Sequence, residues 1–115
     1  MSKPLRFGKV IGVKADKLEE YLEHHRHVTP EVEATIKQCN FRNFSIFVRR
    51  LPDDEHYLFL YFEYTGDDFD ADNARMAADP KTLEWWALMT PLITPLADVE
   101  EGELWADMAE AYHLA

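Results

Sequence analysis

Two groups of residues in this chain have side chains that can act on a small molecule unaided. They are Tyr21-x-x-x-His25 and the doublet Trp85-Trp86. An imidazole titrates near neutrality, so His25 can take or give a proton at physiological pH. A spacing of four places Tyr21 on the same wall as His25 if the segment is helical. The flat faces of tryptophans suit the C–H face of a sugar, and they suit a hydrophobic core equally well. Neighbours on an ideal helix point ~100° apart, so one tryptophan should pack while the other lines a cavity. The same two uses are open to the first pair: His25 can pack at a helix–sheet boundary, and Tyr21 can be a core tyrosine with a satisfied hydroxyl.

Other clusters carry less chemistry. His24, His25 and His27 gather with Glu20, Glu23 and Glu31, but no His-x-x-x-His pair and no cysteine pair is present, so no metal site is expected. Asp67, Asp68, Asp70 and Asp72 resemble the start of a calcium loop, yet the glycine and glutamate that close such a loop are missing. Aspartates enriched at a helix N-terminus explain the run better. Patterns for a P-loop, a dinucleotide fingerprint, a nucleophile elbow or a haem attachment site are absent.

The surrounding elements must position these residues. Leu5 to Val13 reads as a strand with Phe7, Ile11 and Val13 on one face, and with Gly8 and Gly12 on the other, where something could approach closely. Asp16 and Glu19 fit a capping box, and Leu18, Tyr21, Leu22, His25 and Val28 follow helical spacing on the buried stripe. His24 and His27 fall off that stripe and should face solvent. Thr29-Pro30-Glu31 restarts the helix, with Thr29 as cap, so a bent or split helix is expected from about Asp16 to Cys39, with Asn40 as terminator. Asn43 to Arg50 is a second strand, with Phe44, Ile46 and Val48 on one face. After the turn Leu51 to Glu55, His56 to Tyr64 is a third strand, with Leu58, Leu60 and Phe62 on one face. A helix carrying Phe69 and Met76 follows and breaks at Asp79-Pro80, and a further helix carries Leu83, Trp86 and Met89. Pro91 and Pro95 end regular structure there, and Leu104 to His113 closes the chain as a strand. The order strand, helix, strand, strand, helix, strand is the split βαβ pattern of a ferredoxin-like α+β sandwich.

Length and charge narrow the partners. The 115 residues have room for a single domain, residues 1–115, and 47% apolar content supplies a core. A small domain exposes much of its surface, which makes subunit pairing a natural source of further burial. A net charge of −10 disfavours nucleic acid and anionic membranes, and suits a neutral ligand. Cys39 is the only cysteine, so no intramolecular disulfide can form. Met-Ser-Lys-Pro-Leu-Arg leads into a short apolar run without a signal-peptide core, and no window approaches the ~20 apolar residues of a membrane span. A cytoplasmic protein is expected.

Glu20-Tyr21-x-x-x-His25-x-x-x-x-Pro30-Glu31-Val32, then Asn43-Phe44-Ser45-Ile46-Phe47, then Leu58-Phe59 ahead of Glu63, resemble the L-rhamnose mutarotase family. So does Asp79-Pro80 with Trp85-Trp86-x-x-Met89, and the resemblance runs from about Arg6 to Leu114. It implies a ferredoxin-like fold of the dimeric α/β-barrel type, a homodimer, a monosaccharide substrate and cofactor-free interconversion of α and β anomers. By position, His25 matches the family's catalytic histidine, Tyr21 a substrate-contacting tyrosine, and Trp85 and Trp86 the substrate-contacting tryptophans. Phe44 stands where the family can carry a sugar-contacting tyrosine, and Thr29 where an aromatic often precedes the matching proline. Both departures bear on which deoxysugar fits, with L-fucose the nearest competitor to L-rhamnose. The partner of His25 in acid–base catalysis is left open among Tyr21, Glu63 and water. Two rival classes remain for a fold of this size: a cofactor-free monooxygenase and a non-catalytic binding module.

Overall fold

Alternating apolar side chains build the first strand, β1 (Leu5–Val13), in the computed structural model, which describes residues 4–115. Met1, Ser2 and Lys3, on which part of the leader reading rests, lie outside the described residues. A 3-10 turn (Ala15–Lys17) leads into α1 (Leu18–His25), followed by α2 (Pro30–Gln38), β2 (Phe41–Arg50) and β3 (His56–Tyr64). Then come α3 (Phe69–Ala78), α4 (Pro80–Met89), a 3-10 turn (Thr90–Leu92), β4 (Ile93–Thr94) and β5 (Ala106–Met108). The strand order is β2-β3-β1-β4, every pairing is antiparallel, and β5 also pairs with β1. This is the expected ferredoxin-like α+β arrangement.

The register explains which side is buried. Phe7, Ile11 and Val13 of β1 share a face with Leu58, Leu60 and Phe62 of β3, and this face packs under the helices. One cluster joins Ile11, Val13 and Leu58 to Tyr21, Met89, Leu92 and Ile93. A second joins Leu60, Phe62 and Tyr64 to Cys39, Phe41 and Met76. Each fully buried aliphatic or aromatic side chain here stabilises the fold by ~1.5–3 kcal/mol. Gly12 serves the sheet edge: a Cβ there would stand 2.9 Å from the Thr94 carbonyl oxygen, so only glycine admits β4 at that distance.

Several local expectations are corrected. The 3-10 turn draws Asp16 inside itself, so Lys17 becomes the cap of α1 and no side-chain capping bond forms. The helix splits at Arg26 to Thr29 rather than at Thr29 alone, because the residue before Pro30 is held extended (ψ 144°). Thr29 caps α2 by position, without a side-chain bond. The second strand begins two residues early, at Phe41, and absorbs an irregularity between Arg42 and Ser45 where Asn43 takes φ 52°. The chain between Pro91 and Pro95 is not wholly irregular, since Ile93–Thr94 pairs with Gly12–Val13. Of Leu104 to His113, only Ala106–Met108 pairs.

On α4 Met89 is buried as expected, but Thr82 and Trp85 take the inward places expected for Leu83 and Trp86, one position away. The cap explains the rotation. Asp79 accepts hydrogen bonds from the Thr82 backbone N–H and hydroxyl, both at 2.9 Å, and pulls Thr82 inward. These bonds hold the Asp79 carboxyl below the usual aspartate range. A depressed folded-state pKa means that the stabilisation is present above the ordinary aspartate value and lost as pH falls through the lower one. The melting temperature of Asp79→Ala should therefore lie below wild type at neutral pH. The gap should close as the carboxyl is titrated in acid, which thermal unfolding followed by circular dichroism will check.

Candidate functional site

α1 sets the first pair. Tyr21 and His25 are four residues apart, so their rings meet on the inner face with centroids 4.1 Å apart and planes 26° from parallel. The His25 Nδ1 lies 2.8 Å from the Tyr21 carbonyl oxygen. A carbonyl only accepts, so Nδ1 carries the proton, and in the neutral ring the lone pair sits on Nε2. Across from α1, α4 brings Trp85 edge-on to His25, with centroids 5.2 Å apart at 73°. Tyr21 is buried, while His25 and Trp85 are half-buried at the margin of the first core cluster. Burial lowers the His25 pKa; the bond to the Tyr21 carbonyl works against that, and the nearby His24 adds to it. Burial pushes the Tyr21 phenol well above its ordinary value.

The helices leave the edge strand partly open. Ile46 pairs with Leu60, and Val48 pairs with Leu58, so both point to the helix side. Val48 is 40% exposed, Phe44 is 42% exposed, and Ile46 packs against both core clusters. Exposed Phe44 and Val48, with half-buried Ile46 between them, thus form a partly uncovered apolar strip beside the cluster that holds Tyr21 and Trp85. The Phe44 ring stacks on Phe62 at 5.7 Å, within the second cluster rather than the first. The structure therefore gathers Tyr21, His25 and Trp85, sets Phe44 along the strip, and leaves Trp86 40% exposed off the buried stripe of α4.

His24 is nearer the group than its place off the stripe suggests. It is half-buried, edge-on to Trp85 at 6.4 Å, and 3.5 Å from a Glu20 carboxylate oxygen. His27 is exposed, as expected, and pairs with Glu23. Glu63 is removed as a partner for His25: it lies on the opposite side of the sheet, paired with Arg6 and Arg42, where Tyr61 and Asn43 donate to it. Among the described residues, no group of three His, Cys, Asp or Glu side chains could hold a metal ion. The acidic run caps α3, with Asp68 accepting from the Ala71 N–H.

Two features escaped the sequence. Trp105 is half-buried and packs against both clusters, although nothing around it announces a position on the helix side. A cleft of about 440 Å³ opens at the end of the sheet, lined by Gly12, Lys14, His56, Tyr57, Thr94 and Leu96 among others. None of Tyr21, His25, Phe44, Trp85 or Trp86 lines it. His56 contributes a buried Nδ1 without a hydrogen-bond partner.

The chain is similar to known proteins over nearly its full length. The profile of the L-rhamnose mutarotase family matches residues 6–114. An L-rhamnose mutarotase of Lactiplantibacillus plantarum is 28% identical over 110 residues, covering 96% of this chain and 98% of that protein. One from Bacillus subtilis is 29% identical over 110 residues, covering 95% and 97%. Among solved structures, an L-rhamnose mutarotase of Formosa agariphila superposes with a TM-score of 0.72 at 18% identity, covering 96% of this chain and 99% of that one. A Nitrosomonas europaea protein assigned to antibiotic biosynthesis monooxygenases gives 0.55 at 19% identity, covering 94% and 90%. Both structural likenesses speak to the fold. With a family profile spanning nearly all of its length, this chain belongs to the L-rhamnose mutarotase family.

Proposed function

We propose that the protein interconverts the α and β anomers of L-rhamnose, with His25 as the proton-transferring group and Tyr21, Trp85, Trp86 and Phe44 around the sugar. The observation that carries the reading is a half-buried imidazole with Nδ1 tied to a carbonyl and Nε2 uncommitted, held between two aromatic rings in a chain of this family. Mutarotation requires the anomeric hydroxyl to lose a proton and the ring oxygen to gain one. The ring opens to the aldehyde, the carbonyl turns about C1–C2, and closure on its other face gives the other anomer. Proton transfer and positioning are the whole of the chemistry, and both fall within the reach of one imidazole held between two aromatic rings.

The uncovered strip suits a deoxysugar. Phe44, Ile46 and Val48 offer hydrocarbon to a sugar methyl group, and Phe44 has no hydroxyl with which to bind a sugar oxygen. Saturation-transfer NMR over L-rhamnose, L-fucose and common aldoses tests the assignment. Accelerated exchange is expected with L-rhamnose, faster L-fucose exchange would reassign the substrate, and no acceleration with any sugar would reject the activity. The two tryptophans should separate in the same assay. Trp85→Ala should lower catalytic efficiency by about tenfold, the worth of an aromatic contact of ~1.5 kcal/mol. Trp86→Ala should cost only a few-fold, because that ring stands at the exposed rim.

The chain is read as one mutarotase domain of a cytoplasmic enzyme; among the described residues no helix is long and apolar enough to cross a membrane. It is also read as a homodimer. The sheet face away from the helices carries Val10, Phe47, Tyr57, Phe59 and Tyr61, with Phe47 64% exposed and Met108 beside Gly8. No described helix covers it, and a second copy of the same face would.

A further inference from the structure

Ring opening needs two proton transfers, and the imidazole held between Tyr21 and Trp85 is that of His25, with His24 set against Glu20 beside it. We infer that His25 Nε2 works alone, taking the proton from the anomeric oxygen and returning it to the ring oxygen, with no second acid or base from the chain. This rests on the sugar-binding reading of the site and specifies its chemistry further.

Three observations support a one-atom relay. Nδ1 donates to the Tyr21 carbonyl at 2.8 Å, so it is withdrawn from proton exchange and fixes the lone pair on Nε2. Burial then favours the neutral ring, so the resting group at neutral pH is a base. Among the described residues, the remaining titratable groups facing His25 are few. On α1 they are Tyr21, whose burial disfavours phenolate, and His24, which is engaged by Glu20. On α4 the facing residue is Trp85, which does not titrate; Lys81 and Glu84 pair with each other on the exposed surface. The turn Thr90–Leu92 carries no titratable side chain. Glu63, the carboxylate left open as a partner alongside Tyr21 and water, lies across the sheet.

The step balances. Nε2 takes the proton of the anomeric hydroxyl, C1 and its exocyclic oxygen become a carbonyl, and the C1–ring-oxygen bond breaks with its electron pair on the ring oxygen. The Nε2–H returns the proton to that oxygen, leaving the open aldehyde and a neutral imidazole. After the carbonyl turns, Nε2 takes the proton back from the C5 hydroxyl, whose oxygen attacks C1. The new anomeric oxygen receives the proton. Both reacting oxygens are bonded to C1 in the closed sugar, so one nitrogen can reach each in turn.

The pH profile of catalysed anomer exchange tests this, after the buffer rate is subtracted. Expected is a single ionisation below the ordinary histidine value of about 6.5, with the rate falling roughly tenfold per pH unit on its acid side and staying flat from neutrality to pH ~9. A falling limb between pH ~7 and ~9 would reveal a required acid and overturn the relay while leaving mutarotase activity in place. His24→Gln should keep exchange within about threefold of wild type and move the ionisation upward, because an influence that lowers the His25 pKa has gone. A loss of exchange as severe as in His25→Ala, in a folded variant, would make His24 the second group and refute the proposal. In 15N NMR, the neutral His25 ring should show Nδ1 protonated and Nε2 bare; the opposite tautomer would also refute it. Absence of any catalysed exchange in the wild type would bring down the activity itself, a result distinct from each of these.

Discussion

Replacing His25 by alanine should reduce the catalysed anomer exchange by about 100- to 10,000-fold, the range that a positioned acid–base group contributes. Saturation-transfer NMR measures that exchange directly, and far-UV circular dichroism should show an unchanged fold. The fold is expected to tolerate the change because His25 stands half-buried at the core margin, not among the fully buried residues. The removed ring also contacts Tyr21 and Trp85, so His25→Gln supplies a second reading that keeps more bulk while removing the titrating nitrogen. Both variants should lose exchange together. Retained activity in either would place the proton transfer elsewhere and end the assignment of the Tyr21–His25–Trp85 group.

The second large effect concerns the open sheet face. On the proposed homodimer, Phe59→Asp should split the pair into monomers, raising the dimer dissociation constant at least about a thousandfold. Phe59 lies on β3, an inner strand of the sheet, and on the side away from the helices, between Val10 on one neighbour and Phe47 on the other. In a face-to-face pairing the two sheets would stand ~10 Å apart, with such residues at the centre of the contact. A carboxylate placed there loses several kcal/mol of hydration, and two-fold symmetry imposes that loss twice. In the separate chain this face meets water, so the variant should still fold. Sedimentation velocity gives the answer: a wild-type monomer, or a Phe59→Asp dimer as tight as wild type, would refute the pairing.

Gly12 illustrates how local pattern and tertiary contact divide the information. Alternation in Leu5 to Val13 is enough to put Gly12 opposite the buried Ile11 and Val13. What approaches it is a two-residue strand, Ile93–Thr94, too short to leave a periodic signal between Pro91 and Pro95. Trp105 was illegible for a similar reason. Its segment pairs with β1 over only Ala106–Met108, and side-chain direction there follows from register with β1.

Residue order alone is enough for the strands Leu5–Val13 and His56–Tyr64, the break before Pro30, the two-helix division at Asp79-Pro80 and hence the ferredoxin-like arrangement. Each of these is written in spacing of two or about 3.6 residues, or in a proline that removes a backbone donor. It also set Tyr21 and His25 on one wall, because positions four apart on a helix must share a face. The folded chain was needed to choose which tryptophan meets His25, because the Asp79 cap sets the rotation of α4 and helical spacing alone tolerates either choice. It likewise decided that Glu63 lies across the sheet from the imidazole, and that Nδ1 rather than Nε2 is tied up. Those outcomes depend on strand register and on a hydrogen bond to a backbone carbonyl, and neither leaves a mark in the order of the residues.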